Sequence, residues 1–396
     1  MTALPSEGGV AELAEMARAA GLRRVHVLAW RDLADVEAGG SEVHAAEVLR
    51  RWADAGIDVT MRTSYAQGHP PEGRRDGYRV IRKHGRFMVF PTSVLSEVLG
   101  RNGPCDGLVE YWNGAPYLSP LWSRHPHVTV VHHVHKDMWR LVLDEKLAPW
   151  GELIERRVAP PIYRRTHLVT LSESSRRELI DYLHFSPQRI TVVPPGIDTR
   201  FTPLGDKSPT PLIVSVGRLM APKRFDELIR VVAEVRERHP TVQLVIVGDG
   251  YERLALEEQI SDLDALDWIR LAGHVSDEEL IALYRQAWVV ASTSIAEGWG
   301  MTLTEAAACG TPAVATRISG HLDAVVDGRS GLLAEGSRDM VEKISAVIGD
   351  EELRLRLSEG ARKHAASLTW DATAVGVLTP LAAEAMRRQL RSGERS

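Results

Sequence analysis

Two glutamates, Glu297 and Glu305, stand with seven residues between them in the stretch SIAEGWGMTLTEAAACGTPAVAT, which begins at residue 294. A carboxylate can accept hydrogen bonds from vicinal hydroxyls, so a spaced pair suits a polyol held at two points. The run WVVAST before them reads as a strand ending near Thr293, and a helix starts near Thr302 after the turn Gly298-Trp299-Gly300. That helix stops at Gly310, ahead of Pro312 and a further strand. The order is strand, carboxylate, glycine turn, helix start, carboxylate. Glycine lets backbone approach a ligand closely, and the free amides and dipole at a helix N-terminus favour an anion. A carboxylate just inside such a helix can bind a diol, as acidic residues bind ribose in dinucleotide sites. Together the two would grip a nucleotide sugar at both ends. The helix dipole alone also favours an early glutamate, so the surroundings of the pair must decide.

Those surroundings include VSVGRLMAPKRFDELI (214–229), where Gly217, Arg218 and then Lys223 follow a strand and precede a helix. A fork-shaped guanidinium and a point-charge ammonium at one strand end suit a diphosphate. Each charge-assisted contact contributes roughly 1.5–3 kcal/mol. A solvated basic loop would explain either cation by itself. Next to two carboxylates the diphosphate is the better reading.

The elements that position these groups alternate along the chain. VHVLAW, IDVTMRT, GLVEYW, HVTVVH and HLVTL read as strands in the first half, and PLIVSVG, VQLVIVG, WIRLAG, WVVAST and TPAVAT in the second. Ala45, Leu49 and Trp52 share one face of a helix that closes at Gly56, and Ser276 with Glu279 forms a capping box. Such alternation predicts α/β domains with parallel sheets covered on both faces. The segment VVPPGIDTRFTPLGDKSPTP (192–211) holds five prolines and two glycines and marks a domain boundary. Two open α/β domains imply a cleft between them, with ligands at the carboxyl ends of the strands.

With 396 residues the chain suits two domains, and a net charge of -5 gives no global attraction to nucleic acid. Cys105 and Cys309 are far apart and lack metal-ligand spacing, which fits a reduced, cytoplasmic setting. No apolar run is long enough to span a bilayer, and the first residues read as a frayed start before an amphipathic helix. Contact with the inner face of a membrane stays open. RRDGYRVIRKHGRFMVF (74–90) mixes basic with apolar residues and reads as a solvated basic face before an anionic lipid or polyanionic acceptor surface. EYWNGAPYLSPLW (110–122) suits sugar stacking or a packed core equally.

In combination, GRLMAPKRFDELI, VGDGYERLALEE, LAGHVSDEELIALY and EGWGMTLTEAAACGTPAVAT resemble the donor-binding half of retaining family 4 glycosyltransferases. AGGSEVHAAEVLRRWADAGIDVT resembles that family's glycine loop and first helix, and LTWDATAVGVLTPLAAEAMRR its returning C-terminal helix. The resemblance implies the GT-B fold: two Rossmann-like domains facing across a cleft. The amino-terminal acceptor-side domain would span 1–196, the donor domain 197–375, and the returning helix 376–396. It further implies that Glu305 takes the nucleotide ribose. Glu297 and the backbone of Gly298, Trp299, Gly300 and Met301 would hold the sugar, and Thr302 would also bind the donor. Arg218 and Lys223 would neutralise the diphosphate in place of a metal. Gly39 and Gly40 would offer amides to the phosphate, and His274 and Val275 would lie near the base.

The family also keeps a cleft histidine, for which His133 in VTVVHHVHKDMW is the best match, with His132 and His135 as alternative registers. His133 and His135 on one strand face would suit zinc, but no third ligand follows, so sugar contact is preferred and no metal is expected. Three positions depart from the family pattern: Pro195 in the linker, Asp323 where glutamate is more usual, and Arg253 where a dinucleotide fingerprint needs glycine. The expected activity is retaining transfer of a hexose or amino-hexose from a nucleotide-diphosphate sugar, UDP-linked in preference to GDP-linked. The acceptor hydroxyl would belong to a glycan, lipid-linked sugar, cyclitol or secondary metabolite. The alternatives are a nucleotide-sugar 2-epimerase of the same fold and a non-catalytic nucleotide-sugar binder.

Overall fold

The computed structural model describes residues 7–139 and 146–393, so the expected frayed start over 1–6 lies outside the described residues. The chain forms two units, one of Ile197–Leu368 and the other of the residues up to Gly196 joined by Thr369 onward. The return therefore begins ahead of the division after residue 375 drawn from the sequence. The physical reason is local: the helix Trp370–Gly393 already starts at Trp370, and Thr373 Oγ1 donates to the Pro194 carbonyl at 2.8 Å.

The amino-terminal unit holds eight strands: β1 (Arg24–Leu28), β2 (Asp58–Thr63), β3 (Glu72–Arg75), β4 (Tyr78–Arg82), β5 (Gly107–Trp112), β6 (His127–Val131), β7 (His167–Thr170) and β8 (Ile190–Val192). Their order is β3-β4-β2-β1-β5-β6-β7-β8. Every pairing is parallel except β3 with β4. Val25, Val27, Val59, Val109 and Val130 face a core closed by Leu49 and Trp52. Ala374, Leu378, Leu381 and Ala385, at helical spacing on the returning helix, join the same core. Burial of a leucine there contributes roughly 1.5–3 kcal/mol. Trp52 Nε1 donates to the Ala374 carbonyl at 3.0 Å, and Arg51 Nε to Asp371 Oδ1 at 2.7 Å, so the returning helix is fixed by polar contacts as well.

The segment 74–90 is not one solvated face. Asp76 and Gly77, with φ of 43° and 86°, turn β3 back onto β4, as an Asp-Gly hairpin does. Tyr78, Val80, Ile81 and Arg82 are consequently buried. The aromatic stretch resolves to packed core at Tyr111, Trp112 and Tyr117. There the buried Glu110 accepts from the Tyr163 hydroxyl at 2.5 Å and from the Tyr117 amide at 2.7 Å.

The second unit holds β9 (Leu212–Val216), β10 (Gln243–Val247), β11 (Ile269–Gly273), β12 (Val289–Ser292), β13 (Ala313–Thr316) and β14 (Gly331–Ala334). The order β11-β10-β9-β12-β13-β14 is that of a dinucleotide-type sheet, with its topological switch between β9 and β12.

Candidate functional site

The sequence-predicted carboxylates and cations emerge at that switch. Arg218 follows β9, Lys223 ends a short turn of helix (Ala221–Lys223), and Glu297 lies in the loop after β12. Lys223 Nζ and Glu297 Oε1 form an ion pair, and Ser294 Oγ donates to the same oxygen at 2.9 Å. Burial alone would raise the Glu297 carboxyl, but Lys223, His321 and Ser294 outweigh it and hold the group down to about 2. The Glu297 charge is therefore fixed in place rather than left to solvent.

The helix Met301–Ala308 follows, entered through Gly300 at φ 111°. That backbone angle favours glycine, and an added Cβ would press on His321 Cδ2 at 3.1 Å. Glu305 stands in the second turn of this helix, whose first turn carries no acid, so the dipole does not account for it. The Tyr284 hydroxyl donates to Glu305 Oε2 at 3.2 Å. Although part of Glu305 reaches the surface, its carboxyl is closely surrounded, and burial pushes it up to about 7 against the hydrogen bond from Tyr284. Asp198 and Asp277 add to the rise, and Arg200, paired with both, opposes it. Two carboxyls on one loop and helix thus take opposite states: one firmly ionised, one poised near neutrality.

Trp299 is 5% exposed, so its backbone, not its indole, is what can meet a ligand. Val275, beyond β11, packs on the apolar cluster that contains Leu303 and Tyr284, while His274 is exposed. His321 was missed from sequence. It is 1% exposed, its Nδ1 donates to the Thr316 carbonyl at 2.9 Å, and burial lowers its pKa against the opposing pull of Glu297. The preceding Gly320 would place a Cβ 2.5 Å from the Glu297 carbonyl oxygen, so this turn packs directly on the Glu297 loop. Asp323 sits in the short helix His321–Ala324 just after it. Gly248 and Gly250 have a packing role. A Cβ at Gly248 would lie 2.0 Å from the Gly217 carbonyl oxygen, and Leu219 N donates to the Asp249 carbonyl at 2.9 Å. The two glycines let the β10 loop brace the loop that carries Arg218.

In the amino-terminal unit the three histidines separate. The strand β6 ends at Val131, so the alternation argument that put His133 and His135 on one strand face does not apply. The two rings are in contact nonetheless, tilted by 37° with 4.4 Å between centroids. His132 is core: it is 4% exposed, stacks on Tyr111 at 5.6 Å and meets His44 edge-on at 5.1 Å. Burial holds it neutral, with its pKa well below the ordinary value. His135 is buried and lies 3.4 Å from Glu155 Oε1 through its Nδ1. His133 alone of the three is half-buried.

Sequence reading also missed Glu155, which organises this loop. It is 2% exposed and lies in a π-helical turn, Ile154–Val158, within the helical run, a distortion often found at functional sites. Its carboxylate accepts from the amides of His135 at 2.8 Å and Lys136 at 3.1 Å, and from Trp139 Nε1 at 3.2 Å. Burial would raise this carboxyl, but His135 and the amides outweigh it and leave it below the usual range. The Gly39 amide donates to Glu42 Oε2 at 2.8 Å, so Gly39 has no amide left for a phosphate. Gly40 and Ser41 open the helix Gly40–Asp54, and Asn113 Nδ2 donates to Ser41 Oγ at 3.0 Å, tying it to the end of β5. Among the described residues, no group of three histidine, cysteine, aspartate or glutamate side chains is arranged to hold a metal ion.

Fold and site define a two-domain α/β enzyme with opposed carboxylates and cations at a sheet switch point. A model of "Glycosyl transferases group 1" matches residues 197–364, and one of "Glycosyltransferase Family 4" matches residues 38–201. A D-inositol 3-phosphate glycosyltransferase of Salinispora arenicola is 30% identical over 391 residues, covering 86% of this chain and 86% of the relative. Among solved structures, sucrose-phosphate synthase from Thermosynechococcus elongatus superposes with a TM-score of 0.78 at 19% identity, covering 94% of this chain and 100% of that one. Anabaena Alr3699/HepE, in complex with UDP-glucose, gives 0.70 at 18% identity, covering 90% and 98%. The protein belongs to glycosyltransferase family 4, group 1, and has the GT-B fold.

Proposed function

We propose that this glycosyltransferase moves a hexose or amino-hexose, with retention and without a metal, from a UDP-sugar to an acceptor hydroxyl. The observation that carries the reading is the Lys223–Glu297 ion pair at the switch of a dinucleotide-type sheet, with Glu305 on the helix that follows the Glu297 loop. Lys223 and Arg218 supply the positive charge that a departing diphosphate needs. Glu305 takes the ribose diol, Glu297 the transferred sugar, and His133 is the imidazole that the amino-terminal unit offers to that sugar. The departing phosphate helps deprotonate the acceptor on the same face, since no protein nucleophile is assigned. The UDP-glucose named with HepE supports uridine, and the name of the Salinispora relative makes a phosphorylated cyclitol the first acceptor to try.

The test is calorimetric titration with UDP, GDP and ADP in the presence of a chelator, on the protein and on Glu305→Ala. Binding of UDP that is lost in the variant supports the donor site. Absence of binding by any nucleotide overturns it. Product analysis then separates transfer from 2-epimerisation, which needs no acceptor, and from a non-catalytic binder, which releases no UDP in the presence of any acceptor.

A further inference from the structure

The helix Val89–Val98 of the amino-terminal unit is apolar on both sides. Its inner side is accounted for: Val89 and Ser93 are buried, and Phe90 packs on Tyr117 with 4.8 Å between ring centroids. The outer stripe is Phe87, Met88, Pro91, Leu95, Val98 and Leu99, spaced three and four apart along the helix and its lead-in. Its large side chains are 53–65% exposed, and neighbouring Leu121 is 67% exposed. Between this helix and residues 116–122 runs a groove of about 650 Å³ walled by Phe90, Val94, Val98, Tyr117, Leu121 and Trp122. A surface helix ordinarily turns charge outward, as Phe225–Arg238 does with Asp226, Arg230, Glu234 and Glu237. Here the outward stripe carries none. A contiguous apolar patch of this kind marks an interaction site.

The ionisable groups along this segment are mostly basic. From residue 83 to residue 101 the ionisable side chains are Lys83, His84, Arg86, Glu97 and Arg101. The single acid, Glu97, is turned inward, 7% exposed and bound by His26 Nδ1 at 2.8 Å and by Asn102 Nδ2 at 2.5 Å. Lys83 pairs with Glu72 and Arg86 with Glu37. Arg101 and Arg124 are exposed, and neither takes part in any ion pair among the described residues. An apolar stripe with cations at its ends matches an anionic lipid interface, where apolar side chains enter the acyl boundary and cations meet headgroups.

We propose that this face, centred on Phe87, Leu95 and Leu121 and rimmed by Arg101 and Arg124, docks the protein on an anionic bilayer. Such docking would bring the enzyme to acceptors held in that surface.

The experiment is vesicle flotation of the full chain on phosphatidylglycerol–phosphatidylcholine and on phosphatidylcholine alone, at low and high salt. Binding to the anionic vesicles that weakens with salt is expected. Phe87→Ser with Leu95→Ser should lose about tenfold or more of it, and Arg101→Glu with Arg124→Glu a similar amount. Leu254→Ser with Leu266→Ser, exposed leucines of the other unit, should bind as the parent does. UDP titration of the same variants reads folding and the donor site separately, so failure of the donor reading would not be mistaken for failure of docking. Equal binding by parent and Phe87→Ser/Leu95→Ser, or no flotation at all, overturns the proposal. So does a concentration-dependent dimer abolished by those substitutions, which would assign the face to a second copy.

Discussion

The two sheets share an architecture and differ in what fills the ends of their strands. In the Ile197–Leu368 unit the switch point is occupied by ionised groups held against one another: Lys223 on Glu297, with Glu305 poised under Tyr284. In the amino-terminal unit the strand ends carry rings in mutual contact: His44, Tyr111 and His132 in the core, where burial keeps both imidazoles neutral, and His133 and His135 beyond it. The buried Glu155 lies 3.4 Å from the His135 ring. One fold therefore presents charge at one set of strand ends and shape at the other, because the chemistry resides in the loops and not in the sheet.

The largest expected effect falls on the charged side. Lys223→Ala should lower kcat on the order of a hundredfold or more with a UDP-sugar, measured by UDP release. It should also reduce stability by about 1–3 kcal/mol by stranding Glu297, a loss that Lys223→Ala/Glu297→Gln restores in chemical denaturation. The Glu297 value of about 2 lies below the ordinary 4.5. The stabilisation is thus present above pH 4.5 and fades as pH falls toward 2, where parent and Lys223→Ala should converge.

Glu155→Ala tests the shape-based side. Release of the His133–His135 loop should cost about a hundredfold in kcat, since a small displacement of a positioned group is that costly, while UDP affinity by calorimetry stays unchanged. Glu155→Gln keeps the carbonyl acceptor and should recover part of the rate. A matching fall in UDP affinity would refute the division between the two sides.

A finer test is the pH dependence of UDP binding. The Glu305 pKa of about 7 is raised above the ordinary 4.5, so the free protein holds that proton below pH 7. A ribose diol favours the carboxylate, so binding should release a proton and weaken by up to about tenfold per unit as pH falls below 7. Calorimetry in two buffers of different ionisation heat reads the proton, and Glu305→Gln should abolish the dependence. In the free protein the sign is opposite: this group's contribution to stability is full below pH 4.5 and lost as pH rises through 7.

The smallest effect concerns the seam of the returning helix. Asp371→Asn, beside Arg51, should cost roughly 1 kcal/mol by denaturation and leave turnover unchanged.

Much of this was legible in short windows of sequence. The alternation of strand and helix, the turn Gly298-Trp299-Gly300 and a helix carrying Glu305 follow from periodicity and backbone preference, which act over a few residues. The hairpin at Asp76-Gly77 was equally local, but the surrounding arginines drew the reading toward a charged face. The choice of His133 rests on motif alone, whereas its greater exposure than His132 and His135 is set by the fold.

Sequence by itself determined the two α/β units, the proline-rich boundary, and which residue types stand at the strand ends. Tertiary structure decided which of those residues meet and in what charge state. Lys223 and Glu297 are 74 positions apart, and Glu155 lies 20 positions beyond His135. The use of Gly248 to brace Gly217 and the outward turn of an apolar helix stripe likewise depend on packing. The physical reason is range. Backbone preference acts between near neighbours along the chain, whereas desolvation and ion pairing act between groups that only the completed fold brings within a few ångströms.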